Sequence, residues 1–133
     1  MEEEMNEEVA RFIYHSDPET YHEHLEELAE WVNGFIVPVF VGARPPSSRM
    51  PWCAAWWKHI EAIGRLDALW LSYQELSVTE ESGSTGPSVW FRDHLDPIMT
   101  QLRAPDGPFA GCMTKPGTPN HNDPQKVAVV ELS

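Results

Sequence analysis

Four residues in the middle of the sequence carry side chains that zinc commonly binds: Cys53, His59, His94 and Cys112. Two thiolates and two imidazoles form an ordinary tetrahedral zinc set. On a helix, however, Cys53 and His59 would point about 240° apart, because they are six positions apart. A set that takes one of these two with His94, Cys112 and His121 avoids that conflict. The sequence therefore predicts a candidate zinc site, structural or hydrolytic. The alternative is that Cys53 and His59 are ordinary buried side chains.

A second candidate for chemistry is the stretch Arg92-Asp93-His94-Leu95-Asp96, in which a histidine lies beside carboxylates. A carboxylate can orient such a histidine as a general base. Neighbouring residues on a helix point about 100° apart, so Asp93 is badly placed to orient His94. His59, across a helix interface, is a better partner for His94. The sequence also lacks a glycine-rich phosphate loop and a nucleophile elbow. These patterns favour a protein without catalytic activity.

Six tryptophans in 133 residues are many for a chain of this size. Four of them lie between residues 52 and 70, and large rings of this kind build cores and interface hot spots alike. Trp52 and Trp57 diverge from the apolar stripe of the helix expected there. We therefore expect them to line a groove or a surface that contacts a partner or a second copy of the chain.

The formal net charge is −12, and most of it lies near the N-terminus. Residues 1–31 hold eleven of the 21 acidic residues and only one basic residue, Arg11. Such a surface repels phosphate backbones, which argues against direct nucleic-acid binding. The first helix presents four glutamates on its polar side as a second candidate for partner binding: Glu23, Glu26, Glu27 and Glu30. A rigid array of this kind can imitate a nucleic-acid backbone, although a charge run is more often a solvated face.

Hydrophobic periodicity predicts three helices that would position these residues. Asp17 and Pro18 are typical of a helix start. The helix that follows ends at Trp31, or kinks and continues to about Val37. The second helix is expected from Pro51 to Leu76, with one apolar face that includes Trp56, Ile60, Ile63, Leu66, Trp70 and Tyr73. The third is expected to begin at a cap on Ser88 and to kink or restart at Asp96-Pro97.

We therefore predict a mainly α fold, a small bundle of about three helices around a central Trp-rich helix. Residues 104–124 contain too many prolines and glycines for regular structure. Lys126–Leu132 is the one strand candidate, and it has no evident partner strand. The expected organisation is an acidic flexible arm over residues 1–16, a helical core over 17–112, and a Pro/Gly-rich loop with a strand-like tail over 113–133.

We expect neither a secretory signal nor a membrane-spanning segment in this chain. Its first ten residues lack a basic and an apolar region. The longest apolar run, residues 35–41, is far shorter than the roughly 20 residues needed to cross a bilayer. Two cysteines are too few for a disulfide scaffold. We expect a cytoplasmic protein with reduced thiols.

Several motifs together resemble a known family. They are WCAAWWKHIEAIGRLDALW, SVWFRDHLDPIM, and Gly107-Pro108-Phe109 followed by Cys112. In this order they resemble an actinobacterial family labelled domain of unknown function 4913, found in phage, plasmid and other mobile-element genomes. The resemblance covers about residues 30–112. It implies a small accessory protein of a mobile element and transfers no catalytic residues.

Taken together, these patterns predict a non-enzymatic accessory protein that binds another protein through its aromatic surface or its acidic helix. One alternative is a zinc-binding protein. Another is an acidic nucleic-acid mimic that inhibits a DNA-binding host protein. The expected partner is a protein of the host or of the mobile element, and a homo-oligomer stays open.

Overall fold

The computed structural model describes residues 12–78, 80–112 and 120–133. Its α-helices are α1 (Pro18–Trp31), α2 (Ile60–Tyr73), α3 (Gly86–Trp90) and α4 (Asp96–Leu102). Wider π-helical segments extend α1 (Val32–Val41) and α2 (Gln74–Val78), and a third joins α3 to α4 (Phe91–Leu95). Single 3₁₀ turns lie at Ile13–His15, Trp56–Lys58, Glu80–Ser82 and Ala110–Cys112. The prediction of a mainly α bundle of three helical stretches is confirmed, with no strand in the ranges described.

The first helical stretch begins where the sequence predicts and runs further than expected. Asp17 occupies the N-cap position and Pro18 begins the helix, although the Asp17 side chain makes no capping bond. The helix does not end at Trp31; it continues as a π-helix through Pro38 to Val41. Proline has no N–H to donate. Pro38 therefore donates no backbone hydrogen bond within this π-helix. At the end of the stretch, the Gly42 N–H donates to the Val37 carbonyl at 2.8 Å.

The central helix starts nine residues later than predicted. The chain from Pro51 forms a loop and one 3₁₀ turn, His59 is extended (φ −108°, ψ 109°), and α2 begins at Ile60. The expected apolar face is therefore wrong at its start, because Ile60 is 64 % exposed. Trp56 is fully buried from the 3₁₀ turn and donates its indole N–H to Asn33 at 3.0 Å. Packing of the indole ring overrides the helical pattern in this segment.

The core lies between α2 and the two other helical stretches. Its buried side chains include Leu28, Val32 and Ile36 from the first stretch, Ile63, Leu66 and Leu69 from α2, and Trp90, Leu95 and Leu102 from the third. Trp90 donates its indole N–H to the Leu69 carbonyl at 3.2 Å and to Ser72 Oγ at 3.1 Å. Each fully buried large aliphatic side chain contributes about 1.5–3 kcal/mol. Burial of this face, predicted for α2 from Ile63 onward, therefore holds the bundle together.

One buried carboxylate joins the segment before α1 to α2. Asp67 is fully buried; it accepts the Ile13 N–H at 2.9 Å and contacts His24 Nε2 at 2.8 Å. Ile13 is itself fully buried, although the sequence places it in a flexible arm. Beside it, the Tyr14 hydroxyl donates to the Ile60 carbonyl at 2.5 Å, and the ring occupies the space above Gly64. The core therefore includes Ile13, which precedes α1. Residues 1–11 of the predicted arm lie outside the described ranges.

A buried arginine at the end of α4 holds the loop that precedes α2. Arg103 is 4 % exposed and donates to three backbone carbonyls. Its Nε lies 3.2 Å from Pro51 O, and its Nη2 lies 2.6 Å from Arg44 O and 2.9 Å from Met50 O. The planar guanidinium suits this forked arrangement. Arg103 therefore fixes the loop that leads into Trp52 and Cys53.

The predicted terminal strand is not formed. Over residues 120–133 the chain has no regular structure, and its large apolar side chains are 84–103 % exposed: Val127, Val129, Val130 and Leu132. A single strand cannot satisfy its backbone groups by itself, and the described ranges offer no neighbouring strand. Residues 113–119 of the predicted tail lie outside those ranges. No helix among the described residues is long and apolar enough to cross a membrane.

Candidate metal centre

Two cysteines and two histidines from distant parts of the sequence meet at one point. One ligand atom from each of Cys53, His59, Cys112 and His121 lies within 4.8 Å of all the others. Cys53 Sγ lies 3.1 Å from His121 Nδ1, and Cys112 Sγ lies 3.4 Å from His59 Nε2 and 4.0 Å from His121 Nδ1. Standard zinc bond lengths and tetrahedral angles place sulfur and nitrogen ligands roughly 3.6 Å apart. The observed separations bracket this value.

The two ligands before α2 owe their positions to the loop that replaced the predicted helix. Cys53 follows Trp52, whose ring packs edge-on against Phe109 with centroids 5.1 Å apart. His59 lies in the extended link between the 3₁₀ turn and α2, and its ring meets Phe109 at 5.2 Å. A continuous helix would separate the two side chains by about 240°. The loop removes that restriction, and both residues are buried.

The other two ligands come from the chain after α4. Cys112 ends the 3₁₀ turn Ala110–Cys112 and is 1 % exposed. Its carbonyl accepts the Asn120 N–H at 2.7 Å, and its sulfur accepts the Asn122 N–H at 3.5 Å. These contacts bring His121 over the pocket, where its ring lies 5.0 Å from that of His59. Residues 120–122 therefore form one wall of the site.

An acidic residue outside the cluster orients one histidine. Asp123 Oδ1 lies 2.8 Å from Nε2 of His121, which leaves Nδ1 of His121 facing the two sulfurs. A carboxylate in this position fixes the tautomer and the ring orientation of a metal-binding histidine. The hydrogen bond from His121 in turn lowers the pKa of Asp123. The pocket thus has the outer carboxylate that accompanies many zinc histidines.

Burial favours the neutral forms of two of the four side chains, Cys53 and His59. Burial, followed by interaction with Cys112, raises the pKa of the Cys53 thiol to about 11. Burial and the neighbouring His121 lower the pKa of His59. Neutral imidazole is the metal-binding form, whereas a thiol must lose its proton to bind a metal. A dication in the pocket would supply the positive charge that two buried thiolates require.

The arrangement fits a structural metal site better than a catalytic one. Four protein ligands complete a tetrahedral shell, whereas catalytic zinc keeps a position for water or substrate. Three of the four residues are buried, and only the His121 side chain is partly exposed, at 20 %. Bound zinc would join the loop before α2, the turn after α4 and the segment that carries His121.

The predicted ligand set differs from this cluster at one position. Cys53, His59 and Cys112 meet as one of the predicted sets requires, and His121 completes the group. His94 is not part of it; it lies partly buried in the π-helical segment Phe91–Leu95. His121 follows a proline- and glycine-rich stretch, so no periodicity could place its side chain. The His-Asn-Asp sequence at 121–123 was the available signal, because a nearby carboxylate commonly orients a metal-binding histidine.

The predicted partner-binding residues divide between core and surface. Trp52 is 4 % exposed and packs on Phe109, so little of its ring faces outward. Trp57 is 43 % exposed. All four glutamates of α1 named above are exposed.

The sequence patterns did not predict a second polar cluster, which consists of Ser16, His24 and Asp67. His24 Nδ1 lies 3.3 Å from Ser16 Oγ, and its Nε2 contacts Asp67, which is the order of a serine–histidine–carboxylate triad. Asp67 also accepts the Ile13 N–H, so its carboxylate joins α1, α2 and the Ile13–His15 turn. Burial raises the pKa of Asp67, while the two hydrogen bonds act in the opposite direction. These contacts give Asp67 a structural role, because they connect three segments of the chain. The sequence signal for this role was an aspartate at the edge of the apolar face of α2.

A family model described as Domain of unknown function (DUF4913) matches residues 25–131. The match is longer than the resemblance seen in the motifs and includes His121 and most of the exposed tail. No curated protein and no solved structure matches the chain.

Proposed function

Because the chain belongs to this family of unknown function, which assigns it no chemistry, we propose its function from the site: a non-enzymatic protein-binding module held together by one structural zinc ion. The observation that carries the proposal is the convergence of Cys53, His59, Cys112 and His121 within 4.8 Å. Two sulfurs and two imidazole nitrogens form a set that zinc favours, and a closed set of four favours a structural role.

Partner binding is supported by an aromatic surface next to the metal ligands. Trp57 and Ile60, which are 43 % and 64 % exposed, lie on either side of His59 in the sequence. Tyr14, 47 % exposed, joins Ile60 through its hydroxyl group. Tryptophan and tyrosine are over-represented among interface hot spots. Zinc on His59 would hold the backbone that presents Trp57 and Ile60, so metal binding and partner binding are coupled in this proposal.

The family resemblance supports a mobile-element setting for this proposal. A small protein-binding module suits an accessory protein of a phage or plasmid, with a host or element-encoded protein as its partner. The cytoplasm, where thiols stay reduced, suits two cysteines that hold zinc. The glutamates of α1 offer a further contact for a basic partner, since Glu23, Glu26, Glu27 and Glu30 are all exposed on one helix.

The test is the zinc content of the untagged protein, purified without a chelating resin. We expect one equivalent by elemental mass spectrometry. We also expect the cobalt-substituted protein to show the visible bands of a tetrahedral thiolate site. Cys112→Ser and His121→Ala should lose the metal, and His94→Ala should retain it. Zinc-free wild-type protein that is folded and does not take up added zinc would contradict the proposal.

A further inference from the structure

We propose that Cys53 and Cys112 are also a site of reversible oxidation, and that an intramolecular disulfide replaces zinc in the same pocket. The two sulfur atoms belong to one cluster whose ligand atoms lie within 4.8 Å of one another. Both thiols are free. The inference rests on the proposed zinc site for its metal-bound state, whereas oxidation of the zinc-free protein depends on the cysteine pair alone.

Both cysteines lie outside the α-helices, in segments of loop and 3₁₀ turn. A disulfide brings sulfur atoms to about 2.05 Å, so one or both cysteines must move inward. Cys53 lies in the loop between Pro51 and the 3₁₀ turn, and Cys112 ends a short turn, so neither is held within an α-helix. The shift would be taken up by loop backbone and not by the packed face of α2.

Access to the sulfurs leads past His121. Cys53 and Cys112 are buried, but the His121 side chain is 20 % exposed and belongs to a segment that continues into the exposed tail. Bound zinc would hold His121 in place and keep both sulfurs coordinated. Without the metal, the pocket is held on this side by hydrogen bonds to the backbone and sulfur of Cys112. We therefore expect zinc to slow the oxidation.

The chemistry requires a two-electron oxidant, for which hydrogen peroxide is the named co-reactant. The Cys112 thiolate attacks a peroxide oxygen, the O–O bond breaks, and Cys112 becomes a sulfenic acid with loss of hydroxide. Cys53 then attacks that sulfur, loses its proton, forms the S–S bond and displaces hydroxide, which leaves as water. Two cysteine sulfurs are each oxidised by one electron, and the peroxide, with two protons, is reduced to two waters. Zinc then retains only two histidine ligands and dissociates.

The experiment follows mass and zinc release during peroxide treatment. Zinc-free and zinc-loaded wild-type proteins are exposed to hydrogen peroxide, quenched with an alkylating reagent under denaturing conditions, and mapped by peptide mass spectrometry. A colorimetric chelator records free zinc in parallel. We expect one Cys53–Cys112 disulfide per chain, a mass decrease of two hydrogen atoms, and at least 10-fold slower oxidation with zinc bound. Zinc release should match disulfide formation, and dithiothreitol should restore zinc binding.

The single variants separate a disulfide from general thiol oxidation. Cys53→Ser and Cys112→Ser each keep one thiol, and we expect them to gain oxygen without forming an intramolecular bond. Wild-type protein that gives only sulfenic or sulfinic acid, or only bonds between chains, would overturn the inference. A zinc-free protein that forms the disulfide but does not bind zinc would disprove the proposed function and leave the oxidation site standing. A protein that binds zinc but forms no Cys53–Cys112 disulfide would support the proposed function and disprove the oxidation site.

Discussion

His121 Nδ1 lies 3.1 Å from Cys53 Sγ, although the two residues are 68 positions apart in the sequence. This contact brings the segment after Cys112 against the loop before α2. It depends on the orientation of the His121 ring, whose Nε2 is held by Asp123 at 2.8 Å. Separate substitutions can test the proposed metal site, the core and the contact surface.

Asp123 should tune zinc affinity without binding the metal. We expect Asp123→Asn to weaken zinc binding by about 10- to 100-fold, which is the usual effect of losing the carboxylate that orients a histidine ligand. Competition with a chromophoric chelator measures the affinity. Glu131→Gln removes an exposed acidic residue of the same tail and is the matched control, expected to leave affinity unchanged. Equal weakening in both variants would point to a general charge effect.

Zinc should raise the melting temperature, because a ligand that binds only the folded state stabilises it by mass action. At a free zinc concentration 1,000-fold above Kd the gain is about 4 kcal/mol. We expect a fall of several degrees or more when zinc is removed from wild-type protein, measured by circular dichroism. His121→Ala should melt at the same temperature with and without zinc. A zinc-dependent shift of wild-type size in that variant would show that the stabilising metal binds elsewhere.

Asp67 should make stability fall as pH rises just above its ordinary pKa. Burial raises the folded-state pKa of Asp67 above its ordinary value of 3.8. Between these two values the folded state holds more proton than the unfolded state, so the free energy of unfolding decreases with rising pH. Asp67→Asn lacks this dependence, so wild type should lose stability relative to the variant across that interval and not beyond it. Urea titrations of both proteins in one buffer series measure the difference, and the opposite slope would refute the assignment.

Gly64 should resist substitution because Tyr14 packs directly above it. A Cβ atom at Gly64 would overlap the Tyr14 hydroxyl group, so the Tyr14 ring must move. The hydrogen bond from the Tyr14 hydroxyl to the Ile60 carbonyl is then lost. Loss of that hydrogen bond costs about 0.5–1.5 kcal/mol. The higher helix propensity of alanine offsets part of it, so we expect Gly64→Ala to lower the free energy of unfolding by at most about 1 kcal/mol. Gly34→Ala meets no atom within 4 Å and is the control, expected to be neutral or stabilising. In a Tyr14→Ala background the cost of Gly64→Ala should largely disappear.

Trp52 and Trp57 should behave as core and surface residues. Trp52→Ala removes a buried ring from Phe109 and should cost about 3–5 kcal/mol in the free energy of unfolding. Trp57→Ala, at a 43 % exposed position, should change stability little and weaken binding of a physiological partner. Chemical denaturation measures the stability of both variants, and co-purification with a protein captured by the wild-type chain measures the binding. A large loss of stability in Trp57→Ala would place its indole in the core.

The sequence predicted the helical bundle well because its signals there are local. The apolar spacing from Ile63 onward and the Asp17-Pro18 start depend only on neighbouring residues. The segment from Pro51 to His59 was wrongly assigned to a helix, because burial of Trp56 and the inward direction of Cys53 depend on contacts far along the chain. His121 could be named only as an alternative ligand, because it lies in the proline- and glycine-rich stretch of residues 104–124, where no regular spacing predicts the direction of a side chain.

Arg103 links the end of α4 to the loop that carries Cys53. Its guanidinium holds the carbonyls of Arg44, Met50 and Pro51, and Cys53 follows two residues later. A lysine could satisfy at most part of that fork, because its ammonium is a point charge on a flexible stem. A change at the last turn of α4 would therefore reach the loop of Cys53, although the hydrogen bonds of Arg103 go to backbone carbonyls and to none of the four clustered side chains. The shape of the pocket thus depends on a side chain outside it as well as on its own cysteines and histidines.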